Sequence, residues 1–233
     1  MDQSLIDDAT YEAIYWWNRD EAYYHQYFSK FDIIYHDKDL LKFFTNKIFE
    51  VFLREYSIRR NISSGYQNVD KFIDELFEFN FIKRVKNGET NVIDKTSDAI
   101  KSKGNSTKRN TKSLLSKLAF LINPSSFYLY DTLAKNSIYK IYEQKNEMTH
   151  QKLEDYSNFI VFTDLLKNQI SQEGLFENSY VILKKFINTQ ANSFFSKDNQ
   201  AFEMRITDKY LWLLQNENSR DLKNEKYIDL LKT

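Results

Sequence analysis

Residues 111–131 read TKSLLSKLAFLINPSSFYLYD. Lys112 stands just ahead of a dense apolar run, 114–122, which is too hydrophobic all round for a solvated face and predicts a buried helix. Asn123-Pro124 ends that helix, because proline has no amide hydrogen and restricts the residue before it. A short aromatic turn follows, with Phe127, Tyr128 and Tyr130, and Asp131 then supplies a residue type that favours a helix start. The segment therefore predicts helix, turn, helix, with a lysine and an aspartate nineteen positions apart at the two helix starts.

Helical spacing continues on both sides. Residues 11–31 carry Ile14, Trp17, Ala22, Tyr24 and Phe28, and 39–56 carry Leu40, Leu41, Phe44, Ile48, Val51, Phe52 and Tyr56. The first set has helical spacing, and the second falls at the i, i+3, i+4 intervals of an amphipathic helix, as do Val69, Phe72, Ile73, Leu76 and Phe77 within 67–79. Over 87–110 the apolar pattern fades, which predicts a loop or two short helices. Beyond Asp131, helices are predicted over 131–144, 153–170, 179–195 and 202–214, with a short one at 224–231. No internal repeat is present. The organisation expected is a single helical domain over 1–233, or two lobes made of about 1–86 plus the C-terminal helices and of about 100–200.

Composition agrees with that reading. One Pro and four Gly in 233 residues are too few for the turns of an all-β chain. Nineteen Phe and sixteen Tyr imply a core built largely from aromatic rings. Without cysteine there can be no disulfide, thiolate zinc site or cysteine nucleophile. His25, His36 and His150 are too scattered for a ligand motif, so no metal and no cofactor is expected. No apolar run reaches membrane-span length, and the opening MDQSLIDDAT is acidic where a signal peptide would be basic; no membrane association and a cytoplasmic location are expected.

Net charge is zero, but its distribution is uneven. From Lys83 to Lys117 there are ten Lys and Arg against Glu89, Asp94 and Asp98. Such a stretch is either a solvated loop or an attractor for a polyanion.

The lysine, apolar helix and aspartate of residues 112–131 resemble the helix-hairpin-helix DNA glycosylase superfamily, in which a lysine at the start of the hairpin's second helix faces an aspartate at the start of the following helix. The longer string SKLAFLINPSSFYLYD is similar to a group of small bacterial proteins sharing Ser-Lys, an apolar stretch, Asn-Pro and Phe-x-x-Tyr/Trp-Asp, read as a divergent branch of that fold. Likeness to this group also touches Tyr56-Ser-Ile-Arg-Arg-Asn61 and Asp208-Lys-Tyr-Leu-Trp212. The resemblance implies a mainly α, multi-helix fold with few or no strands. It also implies a DNA-binding protein that cleaves the N-glycosidic bond of a damaged or modified base, in repair or in defence. Asp131 would stabilise the sugar cation or activate the nucleophile, and Lys112 would be an amine nucleophile. Lys108, Arg109 and Lys117 would contact phosphates, while Tyr128, Tyr130, Phe127 and the Trp16-Trp17 pair are candidates by type for holding an extruded base.

The chain departs from the superfamily in two places. Where the hairpin has Leu-Pro-Gly-x-Gly, it has KSKGNSTKRNTK; either another loop with Lys108 and Arg109 replaces the hairpin, or the hairpin is absent. The proline that usually precedes the aspartate is replaced by Leu129-Tyr130. Each site residue also has a plain structural alternative: Asp131 as a helix cap, Lys112 and Lys117 as surface lysines, and Trp16, Trp17 and Trp212 as packing anchors. The competing functional reading is a non-catalytic helical protein that binds nucleic acid or a protein partner. A metal-dependent nuclease is discounted, because Asp131 and Glu143-Gln-Lys145 fall on helix and not on paired strands. Without a Gly-rich phosphate loop, an NTPase is not expected.

Overall fold

The structure is a computed structural model and describes residues 1–62, 66–103, 111–143, 149 and 151–215. Helix α1 (Gln3–Trp16) runs through a π-helical turn (Trp17–Glu21) into α2 (Ala22–Phe28). Next come α3 (Phe31–His36), α4 (Lys38–Phe44), a second π turn (Thr45–Phe49) and α5 (Glu50–Glu55). After them lie α6 (Tyr66–Glu78), α7 (Phe81–Lys86), α8 (Val92–Lys103) and α9 (Lys112–Ile122). The remainder comprises α10 (Thr132–Tyr142), α11 (Tyr156–Gln172), α12 (Phe176–Lys184), α13 (Gln190–Phe195) and α14 (Asn199–Leu213). Among the described residues there are no strands, so the chain is mainly α. No described helix is long and apolar enough to cross a membrane.

The chain forms two compact units, one made of residues 1–22 with the chain from Asp131 onward, the other of residues 23–130. These boundaries differ from the lobes expected from the sequence, and the reason is core sharing. Helix α1 buries Leu5, Ile6, Ala9 and Ala13 and lies against α12 and α14, which ties the N-terminus to the C-terminal helices. Helix α9 lies against α7 and α8, so it belongs with the residues before it.

In the unit formed by residues 23–130, the core is a cluster of rings. Phe28 packs on Phe44, Phe49 and Phe52, with centroids 5.0–5.9 Å apart, and Phe31 sits 4.7 Å from Phe44. Edge and tilted contacts of this kind are the favoured arrangement for aromatic pairs. Asn80 links α6 to α7 with φ of 53°, a left-handed conformation that asparagine tolerates better than most residues. Gly88, with φ of 75°, ends the α7 turn; a Cβ there would be strained and would lie 3.3 Å from the Ser126 hydroxyl.

Ser116 is buried inside α9, where its Oγ donates to the Ser113 carbonyl at 3.1 Å and accepts from the Tyr130 backbone N–H at 3.1 Å. That contact pins the end of the 123–130 turn to the helix before it. Ser116→Ala leaves a buried N–H without its acceptor and is expected to cost about 1–3 kcal/mol in a urea unfolding titration. A loss below about 0.5 kcal/mol would mean that water already serves Tyr130.

The segment over 179–195, expected as one helix, is divided by residues 185–189. Thr189 starts α13 by accepting from the Asn192 N–H at 3.2 Å, a cap that a continuous helix could not contain. The fading pattern over 87–110 resolves into α8 up to Lys103. Residues 104–110, and with them Lys108 and Arg109, lie outside the described residues, as does the short helix expected at 224–231.

Candidate functional site

Helix α14 carries the sequence Met204-Arg-Ile-Thr-Asp-Lys-Tyr-Leu-Trp212, and almost all of it is buried, including its charged residues. Arg205 is 2% exposed, and Asp208 and Lys209 are each 8% exposed. A buried charge is tolerated only where it is paired and hydrogen-bonded. The pairing comes from the π turn Trp17–Glu21. Glu21, fully buried, takes the Arg205 Nε–H on Oε2 at 3.1 Å and the Nη2–H on Oε1, a two-point grip on the guanidinium. The Arg205 Nη1–H donates to Oδ2 of Asp208 on the same helix. The extra residue of a π turn re-aims side chains relative to a regular helix, and such turns often occur where a buried group must be placed.

Around this triad lies a second layer. The Lys209 Nζ is 4.4 Å from the centroid of the Trp16 ring and 6.0 Å from that of Trp212. The Arg19 guanidinium carbon also lies 4.4 Å from the Trp16 centroid. The Trp16 Nε1–H donates to the buried Glu12 carboxylate at 2.8 Å, which fixes the ring that receives both cations. Burial pushes Asp208 up to about 6, aided by the neighbouring carboxylates Asp131 and Glu21 and opposed by Arg205 and Lys209. Burial brings Lys209 down to about 7, with Arg205 acting in the same direction and Glu21, Glu12 and Asp208 against it. Titratable groups displaced in opposite directions and held side by side mark a candidate functional site.

Asp131 belongs to this unit. It is the N-cap of α10, and its Oδ1 accepts from the Ala134 N–H at 2.8 Å. Its side chain is partly exposed, Oδ2 accepts no hydrogen bond among the described residues, and its charge is felt at Asp208. Cap and charge are compatible roles, since the cap engages only Oδ1.

The other sequence-selected residues lie in the unit of residues 23–130. Lys112 is the first residue of α9; it is buried, and its Nζ pairs with Asp94 at 2.8 Å. The surface-lysine alternative for Lys112 therefore does not hold. An ammonium engaged by a carboxylate is also not poised as a nucleophile. Lys117 is partly exposed on α9. Tyr128 is 1% exposed and Tyr130 4% exposed; both are core side chains in this conformation, as is Phe127. Trp17 is buried and stacked on Phe194, with ring centroids 4.3 Å apart, which is a packing role. Trp16 belongs to the charge cluster. Among the described residues, no group of three or more acidic or histidine side chains is arranged to hold a metal ion.

Sequence reasoning passed over Glu12, Glu21 and Arg205, and met Asp208 and Lys209 only as part of the string Asp208-Lys-Tyr-Leu-Trp212. A signal existed in residues 205–209, where three charges are interleaved with Ile206 and Thr207 in an otherwise apolar helical stretch. Charges there can face inward only if partners wait for them. No known protein family, curated protein or solved structure matches this chain.

Proposed function

We propose that the protein acts on DNA as a hydrolytic glycosylase, removing a damaged or modified base with Asp131 working at the sugar. The observation that carries this reading is the Asp131 carboxylate itself: one oxygen anchors it to α10, and the other is left without a hydrogen bond among the described residues on a partly exposed side chain. A carboxylate fixed by its helix cap is oriented without reorganisation, which is what a developing sugar cation requires. The order of α9 opening at Lys112 and α10 capped by Asp131 adds support, because these are the two positions on which the resemblance to the helix-hairpin-helix glycosylases rests.

The Lys112–Asp94 ion pair favours water over the lysine amine as nucleophile. In the proposed step, water adds to C1′ as the bond from C1′ to the base nitrogen breaks. The electron pair leaves with the base, and the proton lost by water passes through Asp131 to the departing base. Phosphate contacts are assigned to Lys108, Arg109 and Lys117. The competing reading, a DNA- or protein-binding module without catalysis, draws on the cap formed by Asp131.

The test uses duplexes that each carry one altered base, such as uracil, 8-oxoguanine or an alkylated adenine, followed by alkaline cleavage. At least one duplex should acquire alkali-labile sites. Asp131→Asn should lower that rate about 10²–10³-fold, the usual cost of losing one electrostatic group at a transition state. Asparagine is as good a cap as aspartate, so the variant should remain folded within about 0.5 kcal/mol of the wild type. A wild-type chain that leaves every duplex intact, or an Asp131→Asn chain that cleaves at full rate, would overturn the reading. Salt-sensitive binding to all duplexes without cleavage would replace it with the non-catalytic one.

A further inference from the structure

Between α1 and the connection from α12 to α13 lies a cavity of about 500 Å³, contained within a single unit. Its walls are the rings of Tyr11, Tyr15 and Phe186 together with Ile14. Three of its polar groups are carboxamides, those of Asn18, Asn188 and Gln190. Asn18 uses its Oδ1 to accept from the Ala191 N–H at 2.7 Å, which leaves its amide donors without a partner among the described residues. The side chains of Asn188 and Gln190 make no hydrogen bond there either. Thr189 and Arg19 also line it; the Arg19 side chain is 45% exposed, with its guanidinium over the Trp16 ring and its Nε paired with Asp20 at 3.5 Å.

We propose that this cavity binds a mononucleotide. The volume falls in the range of small-molecule sites, about 300–1,000 Å³, and suits one nucleotide. Aromatic walls accept the flat face of a base, and carboxamides, each both donor and acceptor, match the mixed hydrogen-bonding edge that all bases present. The electrostatics give the ligand a direction. Asp7 and Asp8 lie close enough to Tyr11 to raise its hydroxyl pKa, after the larger effect of burial, so that end repels a phosphate. Arg19 stands eight residues further along the helical chain, about 12 Å at helical rise, a distance comparable to a nucleotide's length. The base is thus placed toward Tyr11 and Phe186, and the phosphate at Arg19. None of the groups assigned to glycosylase chemistry lines the cavity, and the inference does not rest on that reading.

The experiment is calorimetric titration of the whole chain with AMP, GMP, CMP and UMP. Adenosine, ribose 5-phosphate, indole and a 12-nucleotide single strand serve as comparison ligands. At least one mononucleotide should bind with Kd below about 1 mM, with ribose 5-phosphate and indole at least about tenfold weaker. Tyr15→Ala should weaken the nucleotide about tenfold, and Arg19→Ala should weaken AMP but not adenosine, with thermal melting confirming that both variants fold. Absence of nucleotide binding would overturn the proposal, as would binding unchanged in both variants. Indole binding as tight as any nucleotide would reduce the cavity to an apolar cleft. Tighter binding of the 12-mer, lost in the same variants, would make it a strand-binding surface instead.

Discussion

Arg205→Ala is expected to remove about 3–5 kcal/mol of folding free energy, because it strands a fully buried carboxylate. Glu21 has both oxygens engaged by the Arg205 guanidinium and no exposure through which water could replace it. Asp208 loses its Arg205 contact in the same stroke. Against a typical total stability of about 5–15 kcal/mol, this is enough to leave the variant partly unfolded at moderate temperature. The measurement is the urea midpoint and slope of the variant beside the wild type. A companion variant separates pairing from packing. The triple substitution Glu21→Leu, Arg205→Met, Asp208→Leu removes every charge of the triad at similar volume and should recover most of the loss, since apolar replacements of buried ion pairs are often neutral or better. A cost below about 1 kcal/mol for Arg205→Ala would show that Glu21 is hydrated in solution, and the buried triad would then cease to be a feature of the site.

The helices were legible wherever burial and hydrophobicity coincide. Phe72, Ile73 and Leu76 are buried on α6 as their spacing demands. Helix α8 was not legible, because two of the positions on its inner face are Thr96 and Ser97, both almost fully buried, and a pattern read from apolar residues sees a gap there. In α4 and α5 the extent was right and the face was partly wrong. The spacing puts Leu40 on the apolar face, yet it is 48% exposed, whereas the π turn Thr45–Phe49 shifts the phase so that Ile48, Phe49, Phe52 and Leu53 turn inward together. A 3.6-residue template cannot register that shift.

The site was legible to a smaller degree, for a different reason. Asp131 declared its cap role locally, through the residue type that helix starts favour, and the structure gives it that role while leaving Oδ2 uncommitted among the described residues. Lys112 was not legible, because its partner Asp94 is eighteen residues away on α8 and the pair depends on α8 meeting α9. Glu21 and Arg205 are still further apart, 184 residues, and each alone would read as a surface charge. Tyr128 and Tyr130 illustrate the converse error: aromatic side chains beside a presumed catalytic aspartate invite a stacking role, yet both rings are occupied in the core.

A second large effect should appear in the pH dependence of stability, through Lys209 and Asp208. The native pKa of Lys209 lies near 7, below its ordinary 10.5, so between these values the unfolded chain holds a proton that the folded chain has released. Stability therefore rises with pH across that window. Asp208 behaves in the opposite sense. Its native pKa near 6 exceeds the ordinary 3.8, so between these values the folded chain keeps a proton that the unfolded chain has lost, and stability falls as pH rises. Together the two groups place their smallest contribution to stability between about pH 6 and 7, where Asp208 is ionised and Lys209 is still charged, both inside the protein. Carboxylates with lowered native pKa, such as Asp32, act below this range, and His25, lowered by burial, adds a slope of opposite sign to that of Asp208 just below 6.5. The effect is therefore read as a difference between wild type and variant. Lys209→Met should stabilise the chain at neutral pH by a few kcal/mol, on the order of 1.4 kcal/mol per pH unit of the window it removes, and should abolish the alkaline rise. Asp208→Asn should flatten the acid limb alone. Urea titrations from pH 4 to pH 10 supply both profiles. Parallel curves for wild type and Lys209→Met would mean that the amine titrates as an exposed lysine does. In that event the desolvated cluster around Lys209 and Trp16, and with it the case for these charges of α14 as a candidate site, would be lost.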